Sequence, residues 1–188
     1  DQILIADADT LIHPDAPDIF DMSEGKLCAV QNWGYYDWVH KSIYIYKQQF
    51  FPDIDIKLSE YFNSGIMIVN KHHKPLYNKV LEFYTENQES LVELQNTVQL
   101  GTDQPVLNFM VKQQGIDVKM LSYEWNAQSL RNFGMLIIAD PEHPSGAISD
   151  EHVDLGYIFH FNGLPDSDRM IFMEATYDYM LKRETHEN

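Results

Sequence analysis

The sequence has a single cysteine and no long hydrophobic run, and each absence excludes a class of protein. Only Cys28 among the 188 residues is a cysteine, so no disulfide framework can form and nothing indicates an oxidising compartment. Cys28 lies in the apolar run 27–30, which is typical of a buried structural thiol rather than a nucleophile. No apolar segment has the length of a membrane span, and no signal peptide is visible. We therefore expect a cytoplasmic protein without a membrane segment.

Basic residues are also few. The chain has 13 lysines and arginines against 29 aspartates and glutamates, a formal net charge of −16. Proteins that bind nucleic-acid backbones or anionic membrane surfaces need a basic face, so we expect neither partner. An anionic small molecule could still bind if a cation helped to hold it, because the metal would supply the positive charge that the side chains lack.

The sequence does contain enough apolar material for a core. Apolar residues make up 44% of the chain and aromatic residues 13%, which favours one globular domain over residues 1–188. Short apolar runs predict buried strands at residues 3–6, 27–30, 65–69, 118–121 and 157–161. Helical spacing predicts helices starting at Pro75, over 102–115 with Thr102 as its cap, and over 167–182. This alternation predicts an α/β fold with a mixed, mostly parallel sheet flanked by helices.

The same patterns predict which side chains are buried. In the helix predicted over 102–115, one face should be turned to the core (Asp103, Val106, Leu107 and Met110). In the helix predicted over 167–182, the apolar side chains also share one side (Met170, Met173, Tyr177 and Leu181). His72 and His73 precede a helix and should be solvated. Residues 139–154 are rich in Pro, Gly and charged residues, which predicts an exposed loop containing His143 and His152.

The strongest chemical signal is the pair Asp7 and Asp9, which follows the first apolar run directly. Residues i and i+2 of an extended chain point the same way, so the two carboxylates can converge on one cation. In open α/β sheets, ligands bind beyond the carboxyl ends of strands. A D-x-D can also simply begin a polar turn. Haloacid-dehalogenase-type phosphatases likewise place D-x-D after a strand, but they have Thr or Val four residues after the first Asp, where this chain has Leu11.

Four segments in order resemble glycosyltransferases of the GT-A fold, closest to glycosyltransferase family 8 and its relatives. Asp7-Ala8-Asp9 is similar to the family's D-x-D, and residues 61–70 (YFNSGIMIVN) to its F-N-[AS]-G strand. Residues 101–108 (GTDQPVLN) are similar to its D-Q-x-x-L-N helix start, and residues 159–163 (FHFNG) to its H-F-x-G segment. Together the four motifs span nearly the whole chain.

The resemblance implies a transferase that moves a sugar from a nucleotide diphosphate sugar, with a UDP-sugar favoured. It implies that Asp7, Asp9 and His160 hold Mn²⁺, or Mg²⁺, against the donor's diphosphate. Two carboxylates and one imidazole with open positions suit such an ion, which neutralises charge on the leaving diphosphate. The catalytic candidates are Asp103, which would contact the donor sugar, and Gln104, close to the reacting bond. The further substrate-binding candidates are Asp7, Asn63, Ser64, Asn162, Gly163 and Arg169.

Aromatic residues concentrate in residues 31–62, which hold 10 of the 24 in the chain. Aromatic faces with polar edges suit sugar rings, so part of this segment could bind a carbohydrate or glycosylated acceptor. Trp33, Tyr36 and Trp38 are the acceptor-site candidates. Alternatively, most of these rings pack a satellite core beneath a long connection.

The chain departs from the family in two respects. A Lys soon after H-F-x-G contacts the diphosphate in related enzymes, whereas this chain has only Arg169 nearby. The family also places a nucleotide-binding βαβ portion before the D-x-D strand, so we expect the chain to be the later part of a longer catalytic domain. Both departures leave open a catalytically inactive GT-A-like domain that binds glycans or serves a structural role.

Overall fold

The computed structural model describes residues 1–130 and 150–186. They form two compact units. The first unit comprises Asp1–Ile5 and Phe20–Leu121, and the second comprises Ala6–Ile19 and the described part of Ser122–Asn188. The prediction of one domain over residues 1–188 stays a prediction. Among the described residues, no helix combines the length and apolarity that crossing a membrane requires.

The first unit contains an α/β arrangement around a mixed four-stranded sheet. Its strands are β1 (Gln2–Ala6), β3 (Leu27–Gln31), β4 (Phe62–Asn70) and β5 (Val118–Leu121), in the order β1-β4-β3-β5. The short β2 (Thr10–Ile12) lies in the second unit. Strand β3 runs antiparallel to β4 and parallel to β5. The mixed α/β sheet is confirmed, but parallel pairing does not dominate around β3, because a strand's hydrophobicity reports its burial and not its direction.

Strand β1 lies at one edge of the sheet, and this corrects the prediction that both of its faces are covered. Ile3 is 59% exposed, and no residue of β1 is fully buried. By contrast, residues 27–30 of β3 are all buried, as predicted. A run of four apolar residues therefore did not distinguish an edge strand from a central one, since the difference depends on neighbours supplied by remote parts of the chain.

Three helices accompany this sheet: α1 (Tyr36–Gln49), α2 (Lys74–Val98) and α3 (Asp103–Gln113). Pro75 lies in the first turn of α2, as predicted. Thr102 occupies the cap position of α3, but its side chain makes no capping hydrogen bond. All residues of α3 from Gln104 to Val111 are buried, whereas Asp103 is exposed. The predicted burial of Val106, Leu107 and Met110 is confirmed. The prediction that burial is confined to one face, with Asp103 toward the core, is wrong.

The core of the first unit takes up part of the aromatic segment. Tyr46, Phe51, Tyr61 and Phe62 are buried, and Phe51 stacks on Phe109 with ring centroids 4.8 Å apart. Burying such a ring contributes about 2–3 kcal/mol to folding. The alternative of core packing is thus confirmed for Tyr46, Phe51 and Phe62, which join the main core rather than a satellite.

The second unit contains a two-stranded antiparallel sheet of β2 and β6 (Ile158–His160), followed by α4 (Asp166–His186). Its core includes apolar residues from β6, the segment after it and α4 (Phe159, Phe161, Leu164, Phe172 and Met180), together with Ala127, Leu130 and Val153 from the segments before β6. Residues 150–154 belong to a short 3₁₀ helix, Asp150–Leu155, in which His152 and Val153 are buried, so the predicted exposed loop is wrong there. Residues 139–149, with His143, lie outside the described residues.

Helix α4 buries a different face from the predicted one. Met170 and Tyr177 are 57% and 52% exposed, whereas Phe172, Thr176 and Met180 are buried at i, i+4 and i+8. Hydrophobic spacing did not predict this buried stripe, because its middle residue, Thr176, is polar. Its hydroxyl is satisfied by His152, whose Nε2 lies 2.9 Å away, so tertiary contact makes burial of the threonine acceptable.

Candidate functional site

Asp7, Asp9 and His160 come together in the second unit through a turn and a strand pairing. Asp7 follows β1, and the hydroxyl of Thr10 donates to its carbonyl at 2.7 Å, which tightens the turn that contains Asp9. Thr10 is the register partner of His160, and the Phe161 amide donates to the Asp9 carbonyl at 2.9 Å. The antiparallel ladder therefore holds the imidazole beside the D-x-D carboxylates.

The ligand atoms of this triad are close enough to share one cation. His160 Nε2 lies 3.5 Å from Asp7 Oδ2 and 3.3 Å from Asp9 Oδ1, and one atom from each of the three residues lies within 4.8 Å of the others. Adjacent ligands of an octahedral ion held at roughly 2.1 Å lie about 3.0 Å apart, so small adjustments suffice. Carboxylate oxygens and an imidazole nitrogen are donor atoms that divalent metal ions accept. Asp7 is the most exposed of the three.

His160 is held from its other side by Asn126. Nδ1 of the buried imidazole lies 3.2 Å from the amide oxygen of Asn126. Because that oxygen can only accept, Nδ1 carries a proton and Nε2 faces the carboxylates. Burial lowers the pKa of His160, but the hydrogen bonds and charges of Asp7 and Asp9 outweigh it and raise the pKa above its usual value. The carboxylates of Asp7 and Asp9 thus favour the positively charged form of the imidazole.

Asp9 also faces Arg169, at the start of α4. Arg169 Nε lies 3.5 Å from Asp9 Oδ2 and NH1 lies 3.3 Å from Asp166, while NH2 donates to the Leu164 carbonyl at 2.8 Å. The hydrogen bond with His160 is the main cause that lowers the pKa of Asp9; burial opposes it, and the charges of His160 and Arg169 add to it. Arg169 is thus already engaged on three sides by protein atoms.

A second group of predicted residues lies together in the first unit, around an irregularity in β4. The β3–β4 register passes from Ala29↔Met67 directly to Val30↔Asn63, so residues 64–66 leave the ladder as a bulge. The amides of the bulge find side-chain acceptors: Gly65 N–H donates to Asn63 Oδ1 at 2.9 Å, and Ser64 N–H to Gln104 Oε1 at 3.2 Å. The sequence pattern predicted that Asn63 precedes this strand, but Asn63 lies inside β4.

Asp103 and Gln104 begin α3 beside this bulge. The Ser64 hydroxyl donates to Asp103 Oδ2 at 3.1 Å, and Gln104 donates through Nε2 to Asn32 Oδ1 at 3.1 Å. Gln104 is only 7% exposed, whereas Asp103 is exposed. A hydroxyl-bearing ligand can therefore reach the Asp103 carboxylate more easily than the Gln104 amide.

The remaining predicted residues differ in burial and contacts. Tyr36 is exposed at the start of α1, and Trp38 donates through Nε1 to the Gln99 carbonyl at 3.2 Å. Trp33 is half-buried. Asn162 accepts the Ser129 N–H at 3.0 Å, and Gly163 has a positive φ of 70° that favours glycine. The binding roles of these residues stay predictions.

Sequence reasoning missed three asparagines that hold the functional candidates in place. Asn126 supports His160, and Asn32 joins Gln104 to Asn63. Asn108 uses its amide to donate to the Phe62 carbonyl and to accept the Phe62 N–H, both at 2.9 Å. Two of them had a local signal: Asn32 is an amide directly after a buried strand, and Asn108 is the last residue of the D-Q-x-x-L-N segment. Asn126 had none, because its partner His160 is remote in sequence.

Neither a comparison with models of known protein families nor one with curated proteins gives a match. A function for this chain is therefore inferred from the residues of the two groups.

Proposed function

We propose that this protein is a metal-dependent glycosyltransferase that moves a sugar from a nucleotide diphosphate sugar, with a UDP-sugar favoured, to a carbohydrate or glycosylated acceptor. The observation that carries the proposal is the convergence of Asp7, Asp9 and His160, with ligand atoms within 4.8 Å of one another. This donor set suits Mn²⁺, and Mg²⁺ as a substitute. The bound ion would neutralise charge on the diphosphate leaving group.

The residues of the first unit support the sugar-binding part of the proposal. The exposed Asp103 carboxylate has one oxygen, Oδ2, accepting from Ser64, and it can accept further hydrogen bonds from sugar hydroxyls. Hydrogen bonds to a charged acceptor are worth about 1.5–3 kcal/mol each. Asn63 and Gln104 are held by hydrogen bonds to backbone and to Asn32, which gives them fixed directions.

The net charge of −16 is consistent with this proposal only if a cation mediates donor binding. Apart from Arg169, the D-x-D triad has no cationic side chain among its described ion-pair partners, and that arginine is engaged with Asp9, Asp166 and Leu164. We therefore expect the transferase to be inactive without its metal ion.

The test is a transfer and hydrolysis assay of the intact protein with a panel of nucleotide sugars, with Mn²⁺ and with a chelator. Asp9→Asn removes one ligand charge while keeping the side-chain shape, and we expect at least about a hundredfold loss of turnover. Asp15→Asn is the matched control, because Asp15 is exposed and lies outside the triad. Unchanged turnover in Asp9→Asn, or full activity with the chelator, would refute the metal-dependent transferase.

A catalytically inactive glycan-binding domain is the second candidate. The burial of Gln104 favours it, since both polar atoms of that amide are bonded within the protein. Calorimetry separates the two candidates. A transferase should release heat with nucleotide sugar only when Mn²⁺ is present, whereas an inactive domain should show no metal-dependent heat.

A further inference from the structure

Asn32 lies at the centre of the hydrogen-bond network that holds the predicted sugar-binding residues. It follows β3 directly and is 7% exposed. Its side-chain oxygen accepts from two amides, Gln104 Nε2 at 3.1 Å and Asn63 Nδ2 at 3.4 Å. Its own backbone N–H donates to the Tyr61 carbonyl at 2.9 Å, which ties Asn32 to the residue before β4.

The directions of the two amides follow from their backbone partners. Gln104 Oε1 accepts the Ser64 N–H, and Asn63 Oδ1 accepts the Gly65 N–H. A backbone N–H can only donate, so both side-chain oxygens must face the bulge of β4 and both NH₂ groups must face away from it. Both NH₂ groups meet the Asn32 oxygen, which satisfies two buried donors with one acceptor.

The bulge depends on this arrangement. An even antiparallel ladder would pair Val30 with Ile66, whereas Val30 pairs with Asn63. Residues 64–66 thereby lose their regular ladder partners on β3, and the side chains of Gln104 and Asn63 replace two of them. If the Asn32 oxygen were removed, the two buried NH₂ groups would lose this acceptor. Because a buried donor without a partner costs free energy, both amides would then tend to reorient.

The position of Asp103 follows from the bulge. Ser64, which belongs to the bulge, donates its hydroxyl to Asp103 Oδ2 at 3.1 Å. A continuous path of hydrogen bonds therefore runs from Asn32 through Gln104 and Ser64 to the Asp103 carboxylate.

We propose that Asn32 is a positioning residue for donor-sugar recognition: its amide oxygen directs Gln104 and Asn63, and through Ser64 it directs the Asp103 carboxylate. This inference rests on the proposed function, since it assigns the network to the sugar and not to the diphosphate of the donor. Asn32 does not touch the substrate and acts only through its neighbours.

The first measurement is amide hydrogen exchange, which needs no substrate. Asn32→Leu keeps the approximate size and removes the acceptor, and we expect exchange at Ser64 and Gly65 to become at least about tenfold faster. Asn32→Asp retains an acceptor oxygen and should keep that exchange slow. Asn87→Leu is the matched control, because Asn87 is a partly buried asparagine of the same unit whose side chain donates to the Phe83 carbonyl within its own helix. Asn32→Ser, whose hydroxyl is too short to reach both amides, replaces Asn32→Leu if the latter does not fold.

The second measurement compares binding of UDP-glucose with binding of UDP, both with Mn²⁺. We expect Asn32→Leu to lose about tenfold in affinity for the sugar nucleotide and less than about twofold for UDP, with Asn32→Asp recovering most of the loss. Unchanged exchange, or an equal loss for both ligands, would overturn the role of Asn32. If the unmodified protein binds UDP with Mn²⁺ but none of a panel of UDP-sugars more tightly, the assignment of the network to sugar is overturned. Failure to bind any of them would instead refute the proposed function, while the exchange result still decides whether Asn32 organises the bulge.

Discussion

His160 donates its Nδ1 proton to the side-chain oxygen of Asn126 at a distance of 3.2 Å, and both residues are buried. This bond selects the face that the imidazole presents to the D-x-D pair, since only Nε2 is then directed at Asp7 and Asp9. A residue outside the three ligand candidates thus orients the one that offers a nitrogen atom.

Replacing Asn126 should therefore weaken metal binding without removing a ligand. We expect Asn126→Leu to lower the affinity for Mn²⁺ by about 10–100-fold, because the ring loses its fixed tautomer and orientation. Asn126→Asp keeps an acceptor for Nδ1 and should stay within about threefold of the unmodified protein. Calorimetric titration with Mn²⁺ measures both. Equal affinities in all three proteins would show that His160 does not ligate the ion.

Arg169 should oppose the binding of a free cation by its charge. Its guanidinium lies 3.5 Å from Asp9, so an ion bound by that carboxylate would have a fixed positive charge nearby. Two unit charges about 4 Å apart repel by about 1 kcal/mol in water and by more where solvent is excluded. We expect Arg169→Met to bind Mn²⁺ about tenfold more tightly and Arg169→Lys to stay near the unmodified affinity. Weaker binding by both variants would instead show that the fixed arginine geometry orients Asp9 and outweighs the repulsion.

His73 should make the protein less stable in mild acid. It is buried and accepts the Asn70 N–H through Nδ1 at 3.1 Å, contrary to the predicted solvated position. Burial, and to a lesser extent the charge of His72, lower the pKa of His73 below its usual 6.5. The unfolded chain then binds more protons than the folded one, so the free energy of unfolding falls as the pH drops through 6.5 toward the lowered pKa.

The variant His73→Gln isolates this contribution, because glutamine does not titrate. Urea unfolding between about pH 8 and pH 5 should show the stability of the unmodified protein falling faster toward acid than that of the variant. His40→Gln is the control, since His40 is an exposed histidine on α1. Parallel curves for the unmodified protein and His73→Gln would contradict the prediction.

The two faces of α4 should differ sharply in their contribution to stability. Phe172 is 2% exposed in the core of the second unit, and Phe172→Ala should lower the free energy of unfolding by about 3–5 kcal/mol. Met170 is largely exposed, and Met170→Ala should change it by less than about 0.5 kcal/mol. Comparable losses in the two variants would mean that the face predicted from hydrophobic spacing is buried after all.

Local patterns predicted most of the secondary structure. The strand at residues 118–121 has the predicted bounds, and α2, α3 and α4 begin within one residue of the predicted positions. These predictions succeeded because hydrophobic spacing, a first-turn proline and a terminal glycine act within a few residues of the chain.

Predictions that depended on remote partners were less successful. Ile3 was expected in a covered strand, but it lies at the sheet edge, and Asp103 was expected toward the core, but it is exposed. The buried stripe of α4 contains Thr176, which is acceptable there only because His152 reaches it from another element. Local sequence patterns do not indicate which helix or strand will pack against a given face of another element.

The candidate site divides in the same way. The order of residues alone determines that Asp7 and Asp9 follow a strand as a carboxylate pair, and the motif that contains His160 marks a third ligand candidate. The tertiary structure decides that Thr10 pairs with His160, that β4 bulges at residues 64–66 and that Asn32 and Asn126 hold the functional side chains. The reason is physical: the carboxylate pair is set by covalent neighbours, whereas strand register and buried amide directions depend on hydrogen bonds between residues far apart in the chain.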